Sequence, residues 1–79
     1  MKLTIITPSN TLFAGECKLV QMPGTNGLFE VLDRHAPMIA LLGKGKIKVQ
    51  DPDDNETFFD VEGGVIKVNN NQATILVNV

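Results

Sequence analysis

Turn-forming residues divide this chain into short apolar segments, and their spacing constrains the fold more than any other feature of the sequence. Pro23-Gly24, Asn26-Gly27 and Gly63-Gly64 separate runs rich in β-branched residues. Such pairs mark turns because proline fixes φ and glycine reaches positive φ without steric cost. No window of ten or more residues repeats apolar side chains at a helical period. The pattern predicts an all-β fold of about eight to ten short strands, with turns roughly every 8–12 residues.

The predicted strands form one flattened β-sandwich or barrel, a single domain over residues 1–79. Alternation is clearest in KGKIKVQ, where lysines fall on one face and Gly45, Ile47 and Val49 on the other. Gly15 is expected to bend a long strand, and PGTNG is expected to form a tight loop over 23–27. The strands are predicted at 2–7, 11–22, 28–32, 38–42, 44–50, 57–61, 65–68 and 73–79.

The size and charge of the chain exclude several classes of function. A 79-residue domain has one small core, so a buried substrate cleft would consume much of it and function at the surface is expected. Seven basic and nine acidic residues give a net charge of -2, which excludes a typical nucleic-acid or anionic-membrane binder. The lone Cys17 fits a reducing compartment. No apolar run reaches the roughly 18 residues of a membrane span, and no signal peptide is recognisable, so we predict a soluble cytosolic domain.

The single histidine, His35, stands in LDRHAPMIALL and is the first candidate for chemistry. A metal site there would need further nitrogen or sulfur ligands, and the chain has no second histidine. Ser9 lies in a predicted turn and Cys17 in an apolar strand, where a packed thiol is the common state. The sequence therefore predicts no catalytic, cofactor-binding or metal-binding residue.

The acidic segment DPDDNE partly matches a calcium-binding loop. Asp51, Asp53, Asn55 and Glu62 fall at its first, third, fifth and twelfth positions. The sixth position, where that loop requires glycine, is Glu56, and the flanking patterns predict strands instead of helices. We therefore interpret the segment as a solvated turn.

Two surface features have alternative interpretations. The stripe of Lys44, Lys46 and Lys48 has three interpretations. It forms the solvent face of a half-buried strand, it keeps an edge strand from pairing with other chains, or it binds an acidic partner. The first two are favoured. Leu28 and Phe29 directly follow the Asn-Gly turn. Such residues usually turn into the core, yet exposed apolar groups near a loop tip also suit a protein–protein contact.

Four segments occur in a distinctive order: ITP, LFAGE, MPGTNGLFEVLDRHAPMIALLGKGKIKV and VEGGVIKVNNNQATILV. Together they resemble the N-terminal β-domain of the epsilon subunit of bacterial F-type ATP synthase, from Leu3 to Val77. The Pro-Gly turn, Gly27, the His-Ala-Pro segment and the later Gly-Gly pair all fall in the family's order. The chain departs from the family at Glu30, where glycine is usual, and at Asp33-Arg34, where Pro-Gly is frequent.

The resemblance implies a non-catalytic rotor subunit of the central stalk. Such a subunit binds the gamma subunit and the loops of the c-ring, reaches the alpha and beta subunits indirectly, and couples proton translocation to ATP synthesis. It is peripheral to the cytoplasmic face of the bacterial inner membrane, without inserting into it. His35 is then expected to contact gamma, and Leu28 to Glu30 the ring. The predicted interface comprises Gly27, Leu28, Phe29, Glu30, Asp33, Arg34, His35, Ala36 and Pro37.

Most members of this family continue into a C-terminal helical hairpin, whereas this sequence ends at Val79. We therefore expect neither inhibition of hydrolysis by extended helices nor ATP binding. The alternative to a rotor subunit is a free-standing β-sandwich adaptor that binds a peptide along an edge strand.

Overall fold

Nine strands and no helix make up the structure, a computed structural model that describes all residues from Met1 to Val79. The prediction of an all-β domain with eight to ten short strands is confirmed. No helix is present that is long and apolar enough to cross a membrane. The strands are β1 (Lys2–Ile6), β2 (Thr11–Glu16), β3 (Leu19–Gly24), β4 (Gly27–Leu32), β5 (Met38–Leu42), β6 (Gly45–Gln50), β7 (Glu56–Val61), β8 (Gly63–Asn69) and β9 (Gln72–Asn78).

The strands form two layers of one folded-over sheet. The first layer has the order β2-β1-β9-β8-β5 and the second the order β4-β3-β6-β7. A single pairing, Gly24 with Leu42, connects the layers through β3 and β5. All pairings are antiparallel except that of β1 with β9, which is parallel.

A wholly apolar core fills the space between the layers. Sixteen buried apolar side chains form one cluster, and no polar or charged residue is buried. β9 shows how the sequence produces this core: Ala73, Ile75 and Val77 are buried while the intervening residues are exposed, because successive side chains of a strand point to opposite faces. Phe13 of β2 and Phe59 of β7 meet edge to face at 6.3 Å, which joins the two layers at their outermost strands.

The predicted strand over 11–22 is two strands, and the bend is not at Gly15. Gly15 lies within β2 and pairs with Leu3. The chain instead bends at Cys17 and Lys18, between β2 and β3. The backbone N–H of Cys17 donates to Met1 in the first layer, and that of Lys18 donates to Gln50 in the second. The bend falls there because adjacent backbone groups bond to different layers.

The loop predicted over 23–27 is shorter than expected. Pro23 and Gly24 belong to β3 and Gly27 to β4, so only Thr25 and Asn26 form the turn. Gly24 pairs with Gly27, which has a φ of 122°, a value that glycine tolerates best. Thr25 and Asn26 thus form a two-residue hairpin turn, and Gly27 directly after it supplies the positive φ.

The sandwich has two ends with different residues. The Met1 end contains Met1, the corner at Asp33–Pro37 between β4 and β5, and the Asn70-Asn71 turn between β8 and β9. The Asn26 end contains the Thr25-Asn26 turn and the segments that connect β5 to β6 and β7 to β8. β4 runs from the Asn26 end to the Met1 end, which places the predicted interface residues at both ends.

Candidate partner-binding surface

The nine predicted interface residues do not form one patch. Gly27 and Leu28 begin β4 at the Asn26 end, whereas His35, Ala36 and Pro37 lie in the corner at the Met1 end. β4 is six residues long, roughly 20 Å at about 3.3 Å per residue, and the two groups lie at its opposite ends. Two separate contacts are therefore available, one at each end of β4.

At the Asn26 end, Leu28 and Phe29 point in opposite directions. Leu28 is 68% exposed, while Phe29 packs against the core. A Cβ on Gly24 would lie 2.9 Å from the Phe29 ring, so the glycine is required for this ring to pack over β3. A shallow groove of about 290 Å³ runs between the hairpin tip and Leu41 of β5. The exposed tip thus presents an apolar side chain beside a groove. Farther along β4, Glu30 accepts a hydrogen bond from the side chain of Gln21 at 3.2 Å.

At the Met1 end, Asp33 holds the corner to two other elements. One of its oxygens, Oδ1, accepts hydrogen bonds from the α-amine of Met1 at 2.7 Å and from the amide of Asn71 at 2.9 Å. The backbone N–H of Arg34 donates to the Asn71 side-chain oxygen at 2.7 Å, and Arg34 has a positive φ of 64°. The Asp33-Arg34 turn is therefore fixed by contacts within the chain, and these leave the Arg34 guanidinium free.

His35 makes its only side-chain hydrogen bond to its own neighbour. Nδ1 lies 2.7 Å from the carbonyl oxygen of Ala36, and since a carbonyl only accepts, Nδ1 carries a proton. The ring is exposed, together with Ala36 and Pro37, so Nε2 is available to a partner. No carboxylate or second ring approaches it.

The Asp33–Met1 pair predicts a pH dependence of stability. The hydrogen bond from the Met1 amine, followed by that from Asn71, holds the pKa of Asp33 below its ordinary value, and the Asp33 hydrogen bond raises the pKa of the amine. The stabilisation by Asp33 is complete above about pH 4 and is lost as the pH falls through its folded pKa. The stabilisation by the amine is complete below about pH 8 and is lost as the pH rises through its folded pKa.

We therefore expect Asp33→Asn to reduce the loss of stability at both low and high pH. The measurement is the midpoint of urea unfolding across a pH series, on the chain that begins at Met1. Asp53→Asn makes the same charge change in an exposed turn and is expected to leave the profile unchanged. Equal profiles for Asp33→Asn and the unmodified chain would contradict the role of this pair.

An apolar face on the first layer was not predicted from the sequence. Leu41, Val65, Leu76 and Ile6 stand side by side on four neighbouring strands, and Ile39 lies two residues before Leu41. Ile39 is 72%, Leu41 68% and Leu76 42% exposed. These five residues, here called the apolar face, form a contiguous patch of the kind that marks protein contacts. The signal was present in MIALL, because antiparallel strands commonly have one solvated face, and an unbroken apolar run places apolar side chains on it.

The lysine stripe lies on the opposite side of the sandwich and is already paired. Lys46 contacts Asp60 at 2.8 Å, while Lys44 and Lys48 contact Glu62 and Glu56, each at 3.8 Å. β6 lies between β3 and β7, so the interpretation as an edge strand is wrong. The stripe is a solvent face whose charges are balanced by acidic residues of β7 and by Glu62 directly after it.

Cys17 and Asp51 have structural roles in the fold. Burial raises the pKa of the Cys17 thiol, which disfavours a reactive thiolate. Oδ1 of Asp51 accepts the backbone N–H groups of Asn55 and Asp53, each at 2.9 Å, and the bond from Asn55, more than that from Asp53, lowers the pKa of the carboxyl. This carboxylate closes its own turn, as the sequence predicted.

A filled core, a paired charged face and an exposed apolar face define a β-sandwich protein-interaction domain. The chain belongs to the family of the ATP synthase delta/epsilon chain β-sandwich domain, whose family model matches residues 1–79. It is 41% identical over 75 residues to the ATP synthase epsilon chain of Chlorobium limicola, an alignment that covers 95% of this chain and 85% of that one.

Two solved structures share this fold. The chain in the mitochondrial ATP synthase of Euglena gracilis, from an OSCP/F1/c-ring assembly in rotational state 1, superposes with a TM-score of 0.88 at 19% identity, covering 95% of this chain and 48% of that one. The chain in the Tetrahymena thermophila mitochondrial ATP synthase, from its central stalk and c-ring, gives a TM-score of 0.83 at 15% identity, covering 99% and 63%.

Proposed function

We propose that this chain is an epsilon-type rotor subunit of the ATP synthase central stalk, and that it contributes no catalytic group. It binds the gamma subunit through the apolar face and the neighbouring corner at Asp33–Pro37, and it rests on the c-ring loops through the hairpin tip at Leu28. The observation that carries this proposal is the apolar face itself, which a filled core leaves exposed in a member of the delta/epsilon family.

The distribution of the surfaces supports two partners instead of one. The hairpin tip and the corner lie at opposite ends of β4, and the apolar face runs across the outer side of β5, β8, β9 and β1. The apolar face and the tip adjoin where Leu41 lines the groove beside Leu28. One body can thus contact gamma and the ring loops at the same time.

The construction of the sandwich suits the transmission of torque. The two layers share one core without buried polar groups, and close-packed interiors of this kind deform little. A load applied at the hairpin tip is therefore carried to the apolar face by the whole domain. On this basis the subunit couples proton flow at the ring to ATP synthesis at the distant alpha and beta subunits, and it resides peripherally at the cytoplasmic face of the bacterial inner membrane.

Affinity capture from the organism that encodes the chain tests the proposal. A tagged copy is expressed, membranes are solubilised under mild conditions, and captured proteins are identified by mass spectrometry against an untagged control. We expect the gamma, alpha, beta and c subunits to be enriched. Recovery as a soluble monomer without any of these subunits would contradict the rotor function and favour the free-standing adaptor.

A further inference from the structure

The free cations of the chain are concentrated on one side of the sandwich. Lys18, Lys44, Lys46 and Lys48 each form an ion pair with an acidic side chain. The remaining cations, Lys2, Arg34 and Lys67, have no side-chain hydrogen bond or ion pair, and all three are exposed. Lys2 and Lys67 lie on the outer side of the first layer, which also carries the apolar face, and Arg34 lies in the adjoining corner.

Lys67 stands at the boundary between the apolar face and a polar depression. It pairs with Ile39 across β5 and β8. On its other side, a depression of about 250 Å³ is lined by Lys67, Asn69, Asn70, Gln72 and Thr74, without any apolar residue. Ammonium, amide and hydroxyl groups are all hydrogen-bond donors, and no carboxylate lines the depression. Its chemistry suits a carboxylate.

A second depression, lined mainly by apolar atoms, adjoins the first and shares Lys67 with it. It has a volume of about 440 Å³, and Pro37, Met38 and Ile39 form its apolar side. This depression connects the corner at Asp33–Pro37 to the apolar face. A segment of a binding partner that reaches across Lys67 would place an acidic side chain in the polar depression and an apolar side chain in the second depression.

We propose that Lys67 binds a carboxylate of the gamma subunit in the polar depression, while an apolar side chain of the same gamma segment occupies the depression beside Pro37 and Ile39. This assignment rests on the proposed function and specifies the chemistry of the partner. Complementary charges at such a boundary fix the register of the two proteins and accelerate their encounter. The paired lysines of the second layer give no comparable attraction, because their charges are already balanced.

The test measures binding of the purified gamma subunit from the same organism to the full chain. Lys67→Ala is expected to weaken binding about tenfold at low ionic strength, and Lys67→Glu more strongly, because a close attraction becomes a repulsion. The affinity of the unmodified chain is expected to fall as salt rises from about 0.05 M to about 0.5 M, while that of Lys67→Ala falls less. Lys46→Glu reverses an exposed charge on the opposite layer and is expected to bind as the unmodified chain does. Circular dichroism and thermal unfolding establish that each variant is folded.

The outcomes separate the two proposals. Gamma binding that is equally tight in Lys67→Ala, Lys67→Glu and the unmodified chain would overturn the Lys67 assignment and leave the rotor function intact. Absence of gamma binding by the unmodified chain would overturn both. Sedimentation of the chain alone provides a third measurement: a dimer that Lys67→Glu dissociates would identify a second copy as the occupant and overturn the assignment to gamma.

Discussion

Replacing Gly64 with alanine is expected to lower the free energy of unfolding by about 2–3 kcal/mol, the upper part of the range for overpacking a well-packed site. A Cβ at this position would lie 2.3 Å from the carbonyl oxygen of Leu76 and 3.1 Å from Cα of Val77. Both atoms belong to the backbone of β9, so no side-chain rotation relieves the clash. At about 4–8 °C per kcal/mol for a domain of this size, the melting temperature should fall by more than about 8 °C.

The adjacent glycine provides the matched control. A Cβ on Gly63 would come no closer than 3.5 Å to the carbonyl oxygen of Leu42, an ordinary van der Waals distance. Gly63→Ala is therefore expected to change the melting temperature by less than about a third of the effect at Gly64. Comparable losses in both variants, or no loss in Gly64→Ala, would show that the close approach of β8 to β9 is not the reason that this position requires glycine.

Replacing Leu41 with aspartate is expected to weaken binding of the gamma subunit by about 100-fold or more. Leu41 is 68% exposed in the isolated domain, so the substitution leaves the core intact and the melting temperature nearly unchanged. In the proposed complex the same position is covered, and an uncompensated charge buried there costs about 3 kcal/mol or more. Titration of purified gamma, followed by calorimetry, measures the loss directly.

Phe58→Asp is the control for this substitution. Phe58 is also an exposed large apolar residue, at 55%, but it lies on β7 in the second layer. Binding by Phe58→Asp is expected to equal that of the unmodified chain. If Phe58→Asp abolishes binding and Leu41→Asp does not, gamma occupies the charged layer and the assignment of the apolar face is wrong.

Local sequence patterns were sufficient to predict the elements that have one solvated and one buried face. The alternation around Ile47 and Val49 predicted the inner side of β6, and both residues are buried. The PGTNG segment predicted a tight turn between two strands, and that turn is present at Thr25-Asn26. In each case the information lies within a few consecutive residues.

The features that the sequence did not predict depend on contacts between distant residues. The bend at Cys17 is set by a backbone bond from Lys18 to Gln50, and the position of β6 inside its layer is set by pairing with β3 and β7. The apolar face arises because β5, β8, β9 and β1 align Leu41, Val65, Leu76 and Ile6 in one row. Periodicity identifies the two faces of one strand, whereas register between strands decides which exposed residues adjoin.

The parallel pairing of the first and last strands also determines when the domain can fold during synthesis. β1 and β2 form a local hairpin, but the other edge of β1 pairs with Gln72–Asn78. Pairing β9 with β1 closes a loop that contains all the intervening strands, β2 to β8. Closing such a long loop is slow compared with forming a hairpin. On the ribosome, β1 therefore keeps an open edge and an uncovered apolar side until β9 has emerged. The nascent chain is most exposed to aggregation and chaperone capture in that interval.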